Sequence, residues 1–81
     1  MKIKYFAWIK ELTKIDEENL DSNKIQNLKK LKIFLSIKYP TLQKHFDQEI
    51  LRFAVNQEYI VGNIDLNEND EIAVFPPVSG G

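Results

Sequence analysis

The sequence of 81 residues contains no cysteine, one histidine and three glycines. Without cysteine the chain cannot form a disulfide bond, a thiolate metal site or a cysteine nucleophile. One histidine cannot build a histidine metal site, and we predict that this chain binds no metal and no cofactor. No apolar run approaches the roughly 18 residues of a membrane-spanning helix, and the N-terminus does not have the form of a secretory signal. We therefore expect a cytoplasmic protein that does not contact a membrane.

The chain also has no large net charge of either sign. The formal net charge is −1 at pH 7, whereas nucleic-acid-binding domains are usually basic. A composition of 43% hydrophobic and 28% charged residues is ordinary for one folded domain. The sequence has no phosphate-binding loop, and its carboxylates Glu11, Glu58 and Asp70 lie apart, with nothing that pairs them for acid–base catalysis. We expect the isolated chain to be catalytically inert and its partners to be proteins, not nucleic acid.

Hydrophobic periodicity predicts five strands and two helical segments. Alternating apolar residues predict strands over Met1–Ile9, Ile15–Leu20, Leu51–Val55, Tyr59–Val61 and Glu71–Phe75. Helical spacing predicts one main helix, capped within Asp21–Asn23 and ended near Lys38 by Pro40. A short second helix is predicted from Thr41 to Phe46, and Lys10–Thr13 is predicted as a loop or one helical turn. One main helix packed on a mixed sheet of four or five strands is an α+β fold, and the order of elements fits a ubiquitin-like β-grasp.

The C-terminal residues carry the chemistry that the rest of the chain lacks. They are Phe75, Pro76, Pro77, Val78, Ser79, Gly80 and Gly81. We predict a domain over residues 1–75 and a flexible projecting tail over residues 76–81, which prolines stiffen at its base and which ends in two glycines that fit a narrow channel. Six extended residues of about 3.3 Å each reach about 20 Å beyond the last strand, which is far enough to put the terminal carboxylate inside another protein's active site. Adenylation by ATP activates such a carboxylate, and a sulfur donor then gives a thiocarboxylate, whereas a lysine amine gives a protein tag.

Several short motifs along the whole chain resemble one known family. They are Phe6-Ala7, Lys10-Glu11-Leu12, Ala54-Val55-Asn56-Gln57, Asp70-Glu71-Ile72-Ala73 and the ending from Phe75 to Gly81. The sequence is similar to the small subunits of molybdopterin synthase, which are sulfur carriers of molybdenum cofactor biosynthesis. Sulfur carriers of the thiamine pathway share the fold and the two terminal glycines but usually lack the double proline. The ending therefore favours the molybdopterin family.

The resemblance implies a cycle between partner proteins. A ubiquitin-activating-like adenylyltransferase uses ATP to adenylate Gly81, and a sulfur-transfer system converts it to a thiocarboxylate. The tail, residues Pro76, Pro77, Val78, Ser79 and Gly80, then enters the large catalytic subunit, where sulfur passes to cyclic pyranopterin monophosphate to form molybdopterin. The expected assembly is a heterotetramer of two small and two large subunits. A sulfur carrier for another thio-product, a ubiquitin-like protein modifier and a plain interaction domain remain alternatives.

Strand alternation also predicts an aromatic docking surface. If Ile3, Tyr5, Ile72 and Val74 face the core, then Phe6, Trp8, Tyr59 and Phe75 lie on the solvent side of the sheet. A contiguous exposed aromatic patch indicates an interface. Phe6, Tyr59 and Phe75 also match docking positions of the family, and we predict that they bind the partner. Trp8 is expected either to join them or to cover the edge of the core.

Overall fold

The computed structural model describes residues 1–77. In chain order the elements are β1 (Lys2–Tyr5), α1 (Trp8–Thr13), β2 (Glu17–Asn19), α2 (Leu28–Lys38), α3 (Pro40–Asp47), β3 (Arg52–Val55), β4 (Glu58–Ile60) and β5 (Glu71–Phe75). All five predicted strands are present within these residues. The last strand has the predicted bounds, the first three are shorter than predicted, and the fourth has the predicted length but begins one residue earlier.

The five strands form one mixed sheet in the order β2-β1-β5-β3-β4. β1 pairs with β2 in antiparallel and with β5 in parallel orientation. β3 pairs in antiparallel orientation with both β5 and β4. The first and last strands are therefore neighbours at the centre of the sheet, and α2 and α3 connect the two halves across one face. This arrangement is the ubiquitin-like β-grasp, so the predicted fold class is confirmed.

The core lies between the sheet and the helices. α2 contributes Leu28, Leu31 and Leu35, which recur on one side of the helix and are at most 1% exposed. The sheet contributes the inward-facing residues Ile3, Tyr5, Phe53, Val55, Ile72 and Val74. Burying one leucine side chain contributes about 1.5–3 kcal/mol, so this leucine stripe holds α2 against the sheet. Within residues 1–77, all three helices lie away from the opposite face of the sheet.

The prediction of a strand over Met1–Ile9 is wrong beyond Tyr5. Ala7 has φ 55° and ψ −137°, a conformation that no β-strand contains, and the chain turns there into α1. α1 buries Ile9 and Thr13, and the Thr13 hydroxyl donates to the carbonyl oxygen of Ile15 at 3.0 Å. The segment predicted as a loop or one helical turn thus forms the last four residues of a six-residue helix.

The main helix also begins later than predicted. Its N-cap is Asn27, whose side-chain oxygen accepts a hydrogen bond from the backbone N–H of Lys30 at 2.8 Å. The predicted cap residues form a turn instead, in which Asp21 Oδ1 accepts from the backbone N–H of Asn23 at 2.9 Å. The second helix starts at Pro40, because proline fits the first position of a helix where its missing N–H costs nothing.

A mostly buried carboxylate joins β1, β2 and the junction of α2 with α3. Glu18 accepts hydrogen bonds from Tyr5 Oη at 2.6 Å, from Tyr39 Oη at 2.5 Å and from Lys38 Nζ. Burial by itself raises the pKa of Glu18, but the hydrogen bonds from Lys38, Tyr39 and Tyr5 outweigh it and hold that pKa below 4.5. Burial, followed by the hydrogen bond to Glu18, raises the pKa of Tyr39 to about 12 and that of Tyr5 well above 10.0. No pattern in the sequence predicts this cluster.

Candidate docking face and the base of the C-terminal segment

The outer face of the sheet has a shallow centre made of small side chains. Ala73 of β5 lies opposite Ala54 of β3, and Ala54 lies opposite Tyr59 of β4. On the other side, Ala73 lies opposite Lys4 of β1. Because alternate residues of a strand point to the same face, these four side chains form one row across the sheet. The small side chains of Ala54 and Ala73 form a shallow area, which we call the floor, that side chains of a partner can contact.

Three aromatic residues border this floor, and we call Phe6, Tyr59 and Phe75 the aromatic rim. The Phe75 ring centroid lies 6.3 Å from that of Tyr59, and the two rings are tilted by 50°. The backbone N–H of Phe6 donates to the carbonyl oxygen of Val74 at 3.0 Å, which places Phe6 beside the end of β5. Phe6 is 47% and Tyr59 56% exposed, and Phe75 is half-buried. The rim therefore lies on the outer side, where the alternation placed it, and its docking role stays a prediction.

Trp8 does not lie on this face, and the prediction that placed it there is wrong. It is the first residue of α1, and its ring centroid lies 4.8 Å from that of His45 in α3. The strand alternation does not apply to Trp8, because the strand ends three residues earlier. The contact covers the junction of α1 with α3, which agrees with the alternative expectation that Trp8 covers the edge of the core.

Two ion pairs share the outer face with the aromatic rim. Lys2 pairs with Glu17 at 3.5 Å and Lys4 pairs with Glu71 at 3.1 Å. Tyr59 of the rim lies in the same row as Lys4, and the other two rim residues lie nearer the end where β5 finishes. A partner that covers the whole rim therefore also approaches the Lys4 pair, whose desolvation would cost free energy.

A hydrogen-bond network fixes the start of β5 to the β3–β4 turn. Asn56 and Gln57 have φ values of 52° and 69°, which a two-residue hairpin turn of type I′ requires. Asn56 Nδ2 donates to Asp70 Oδ1 at 2.8 Å, and the backbone N–H of Glu71 donates to Asn56 Oδ1 at 3.0 Å. Asp70 Oδ2 also accepts from the backbone N–H of Asn67 at 2.7 Å. Two of the motif residues, Asn56 and Asp70, thus set the position of β5.

The C-terminal segment begins where β5 ends, at the centre of the sheet and beside the aromatic rim. The strand ends at Phe75, and half-buried Pro76 and exposed Pro77 follow, neither of which has a backbone N–H for the ladder. The predicted tail residues Val78, Ser79, Gly80 and Gly81 lie outside the described residues. The flexible tail, its entry into a partner and the division between residues 75 and 76 therefore stay predictions.

Within residues 1–77, no three side chains of histidine, cysteine, aspartate or glutamate come together as a metal site. No helix in this part of the chain is long and apolar enough to cross a membrane. His45 has a buried Nδ1 atom without a hydrogen-bond partner among the described residues, next to the Trp8 ring.

The sequence pattern of the ThiS family matches residues 3–81. The chain is 40% identical, over an alignment of 90 residues, to the molybdopterin synthase sulfur carrier subunit of Dictyostelium discoideum, covering 99% of this chain and 94% of that protein. The chain belongs to the ThiS family and, within it, to the molybdopterin synthase sulfur carrier subunits. The family predicted from the short motifs and the C-terminal ending is thereby confirmed.

Two further proteins, one curated relative and one solved structure, are also similar to this chain over its full length. The molybdopterin synthase sulfur carrier subunit of Homo sapiens is 37% identical, over 100% of this chain and 93% of its own length. Among solved structures, the small archaeal modifier protein 1 of Haloferax volcanii is similar, with a TM-score of 0.81 and 25% identity, over 100% of this chain and 98% of that chain. The β-grasp of this sulfur carrier chain is thus shared with proteins named as carriers and with one named as a modifier.

Proposed function

We propose that the chain carries sulfur in molybdenum cofactor biosynthesis and that the sulfur is bound at the carboxyl group of Gly81, as a thiocarboxylate. The observation that best supports this proposal is full-length similarity to two molybdopterin synthase sulfur carrier subunits, at 40% and 37% identity. The ending from Phe75 to Gly81 adds to this, because it has the double proline and the two glycines that the resemblance to the family leads us to expect. The position of β5 supports it further, because the strand ends at Phe75, within the aromatic rim.

Activation of Gly81 takes place on other proteins. In an adenylyltransferase of the ubiquitin-activating type, a carboxylate oxygen of Gly81 attacks the α-phosphorus of ATP, and pyrophosphate leaves. A sulfur-transfer system then supplies a sulfur nucleophile that displaces AMP and leaves the thiocarboxylate. This chain supplies the reacting carbon atom and binds no cofactor of its own, since ATP belongs to the activating enzyme.

Transfer of the sulfur takes place on the large catalytic subunit. There the aromatic rim of Phe6, Tyr59 and Phe75 docks, Pro76 and Pro77 direct the tail, and Val78, Ser79 and Gly80 line up in the channel that leads to the active site. The thiocarboxylate sulfur passes to cyclic pyranopterin monophosphate, and two such transfers give the dithiolene of molybdopterin. Two small and two large subunits make up the proposed assembly.

Deletion of Gly81 tests the proposal directly. The variant should unfold at the same temperature as the parent chain, because Gly81 lies beyond the last strand of the core. It should also fail to convert cyclic pyranopterin monophosphate when mixed with the large subunit, the activating enzyme and a sulfur donor. Val61→Ser is a matched control, since Val61 is 83% exposed and lies outside the proposed tail and rim. If the deleted chain still supports conversion, Gly81 is not the sulfur carrier.

A protein modifier is the second candidate, and the similarity to small archaeal modifier protein 1 favours it. Intact mass of the chain isolated from its own cells distinguishes the two. A sulfur carrier gains one sulfur atom in place of one oxygen atom, whereas a modifier is recovered as an isopeptide conjugate on lysine. A carrier for thiamine or another thio-product would show the sulfur but would not convert the pterin with the large subunit.

A further inference from the structure

The side of α2 that faces away from the sheet carries an exposed apolar pair. Ile33 and Ile37 are 53% and 75% exposed. They are four residues apart, so their side chains are neighbours on the helix surface. At 100° per residue both lie opposite the buried leucines that hold α2 to the core. Folding of the domain therefore does not account for these two isoleucines.

The stretch of chain that contains this pair has several lysines and no acidic residue. Residues 22–46 contain no aspartate or glutamate and six lysines, Lys24, Lys29, Lys30, Lys32, Lys38 and Lys44. Lys29 and Lys30 precede Ile33 by about one turn on the same side of α2, and we call Lys29, Lys30, Ile33 and Ile37 the α2 ridge. Cations in the first turn of a helix oppose its dipole, and α2 has no acidic residue there. The stability of α2 therefore does not explain these lysines either.

Neighbouring elements do not neutralise the α2 ridge within residues 1–77. Glu18 of β2 faces Lys38 and is paired with it. Asp65 approaches through its backbone, which bridges to Asn27 just before α2. Lys30 Nζ donates to Gln26 Oε1 at 2.6 Å, a neutral acceptor that leaves the lysine charge in place. The apolar pair is thus bordered by uncompensated cations.

We propose that the α2 ridge is a docking surface for an acidic amphipathic helix of a partner protein. Apolar side chains of that helix would pack around Ile33 and Ile37, since side chains spaced by four residues interdigitate with those of another helix. Its carboxylates would face Lys29 and Lys30. A lipid surface fits less well, because interfacial helices bury a broad apolar face, and two isoleucines do not make one. A nucleic acid would leave the isoleucines unused.

The α2 ridge and the aromatic rim lie on opposite sides of the domain, because the sheet and the core separate them. A partner on α2 can therefore bind while the outer face and the C-terminus are engaged elsewhere. This inference does not depend on the proposed sulfur chemistry.

A titration of the ¹⁵N-labelled full chain with a designed peptide tests the proposal by NMR. The probe is a helical peptide of about 18 residues, with leucines spaced by three and four positions and glutamates beside them. Amide shifts should concentrate in residues 29–38, and the affinity should fall several-fold between about 0.05 M and 0.3 M NaCl. Ile37→Ser and Lys29→Glu should each weaken binding about tenfold.

Two controls match these variants in chemistry but lie elsewhere. Val61→Ser removes an equally exposed apolar side chain, and Lys14→Glu reverses one charge at the end of α1; both should bind the peptide within about twofold of the parent chain. The proposal is wrong if the peptide shifts map to another surface or if the controls weaken binding as much. It is equally wrong if phosphatidylserine vesicles or a short DNA duplex perturb residues 29–38 more strongly than the peptide. Either result leaves the Gly81 test unaffected.

Discussion

Replacing Glu18 by glutamine isolates what the charge of its carboxylate contributes to stability. The carboxylate accepts hydrogen bonds from Tyr5 at 2.6 Å and Tyr39 at 2.5 Å and pairs with Lys38, while its side chain is only 11% exposed. A hydrogen bond to a charged group contributes about 1.5–3 kcal/mol. Glutamine keeps the shape and one carbonyl acceptor, but its NH₂ group cannot accept. We therefore expect Glu18→Gln to lower the free energy of unfolding by about 2–3 kcal/mol.

Thermal and urea unfolding at pH 7 measure this loss. In a domain of this size 1 kcal/mol corresponds to about 4–8 °C, so the midpoint should fall by about 10–20 °C. Glu17→Gln is the matched control on the same strand, because its pair with Lys2 joins side chains that are 50% and 41% exposed. That change should cost about 0.5 kcal/mol or less. If the two variants lose the same small amount, Glu18 behaves as a surface ion pair and our reasoning is refuted.

The pH dependence gives a second measure of the same carboxylate. Its pKa in the folded chain lies below 4.5, so between the two pKa values the unfolded chain binds more protons than the folded one. The contribution of Glu18 is therefore fully present above the unfolded pKa and is lost as the pH falls through the folded pKa. The parent chain should lose stability on this acid limb, and Glu18→Gln should lose less. Parallel acid limbs would show that the pKa of Glu18 is not lowered by folding.

Three further changes have defined outcomes. The pKa of Tyr39 is about 12, so its contribution is present below pH 10.0 and is lost as the pH rises toward 12; Tyr39→Phe should flatten this alkaline loss in urea unfolding, and an unchanged slope would contradict the assignment. Gln57→Gly should raise the free energy of unfolding in urea by about 1 kcal/mol, because Gln57 has φ 69°; an unchanged or lower value would show that the positive φ costs the folded chain nothing. Phe75→Ala should weaken binding to the large subunit by about 2 kcal/mol or more, measured by titration calorimetry. It should lower the free energy of unfolding by much less than the ~3–5 kcal/mol of a core phenylalanine, and the reverse pattern would make Phe75 a core residue.

Much of the sheet could be predicted because its side chains alternate between core and solvent. β5 and the Asn56–Gln57 turn follow from that period and from turn chemistry, and so does the outward side of the aromatic rim. The same alternation failed at Trp8, because apolar residues continue past the point where the backbone leaves the strand. Only the backbone conformation of Ala7 marks that point, and no side-chain pattern reveals it.

Long-range polar contacts could not be predicted from the sequence for a different reason. Glu18 meets Lys38 and Tyr39, which are 20 and 21 residues away along the chain, only after α2 has packed on the sheet. The links between Asn56 and Asp70 likewise depend on two loops meeting. The predicted start of α2 is too early because residues 21–27 offer several side chains that can cap a helix. The bridge between Asn27 and Asp65 fixes Asn27 as the residue that does so.

The parallel pairing of β1 with β5 has a mechanical consequence. The two strands run side by side from Lys2 to Tyr5 and from Glu71 to Val74, with β3 bound to the other edge of β5. A force that pulls the C-terminus outward against the N-terminus slides the two strands along each other, so their hydrogen bonds resist together and do not open one after another. In the proposed cycle the C-terminus must be withdrawn from one protein before it enters the next. The shear geometry would therefore hold β5 in the sheet against such a pull.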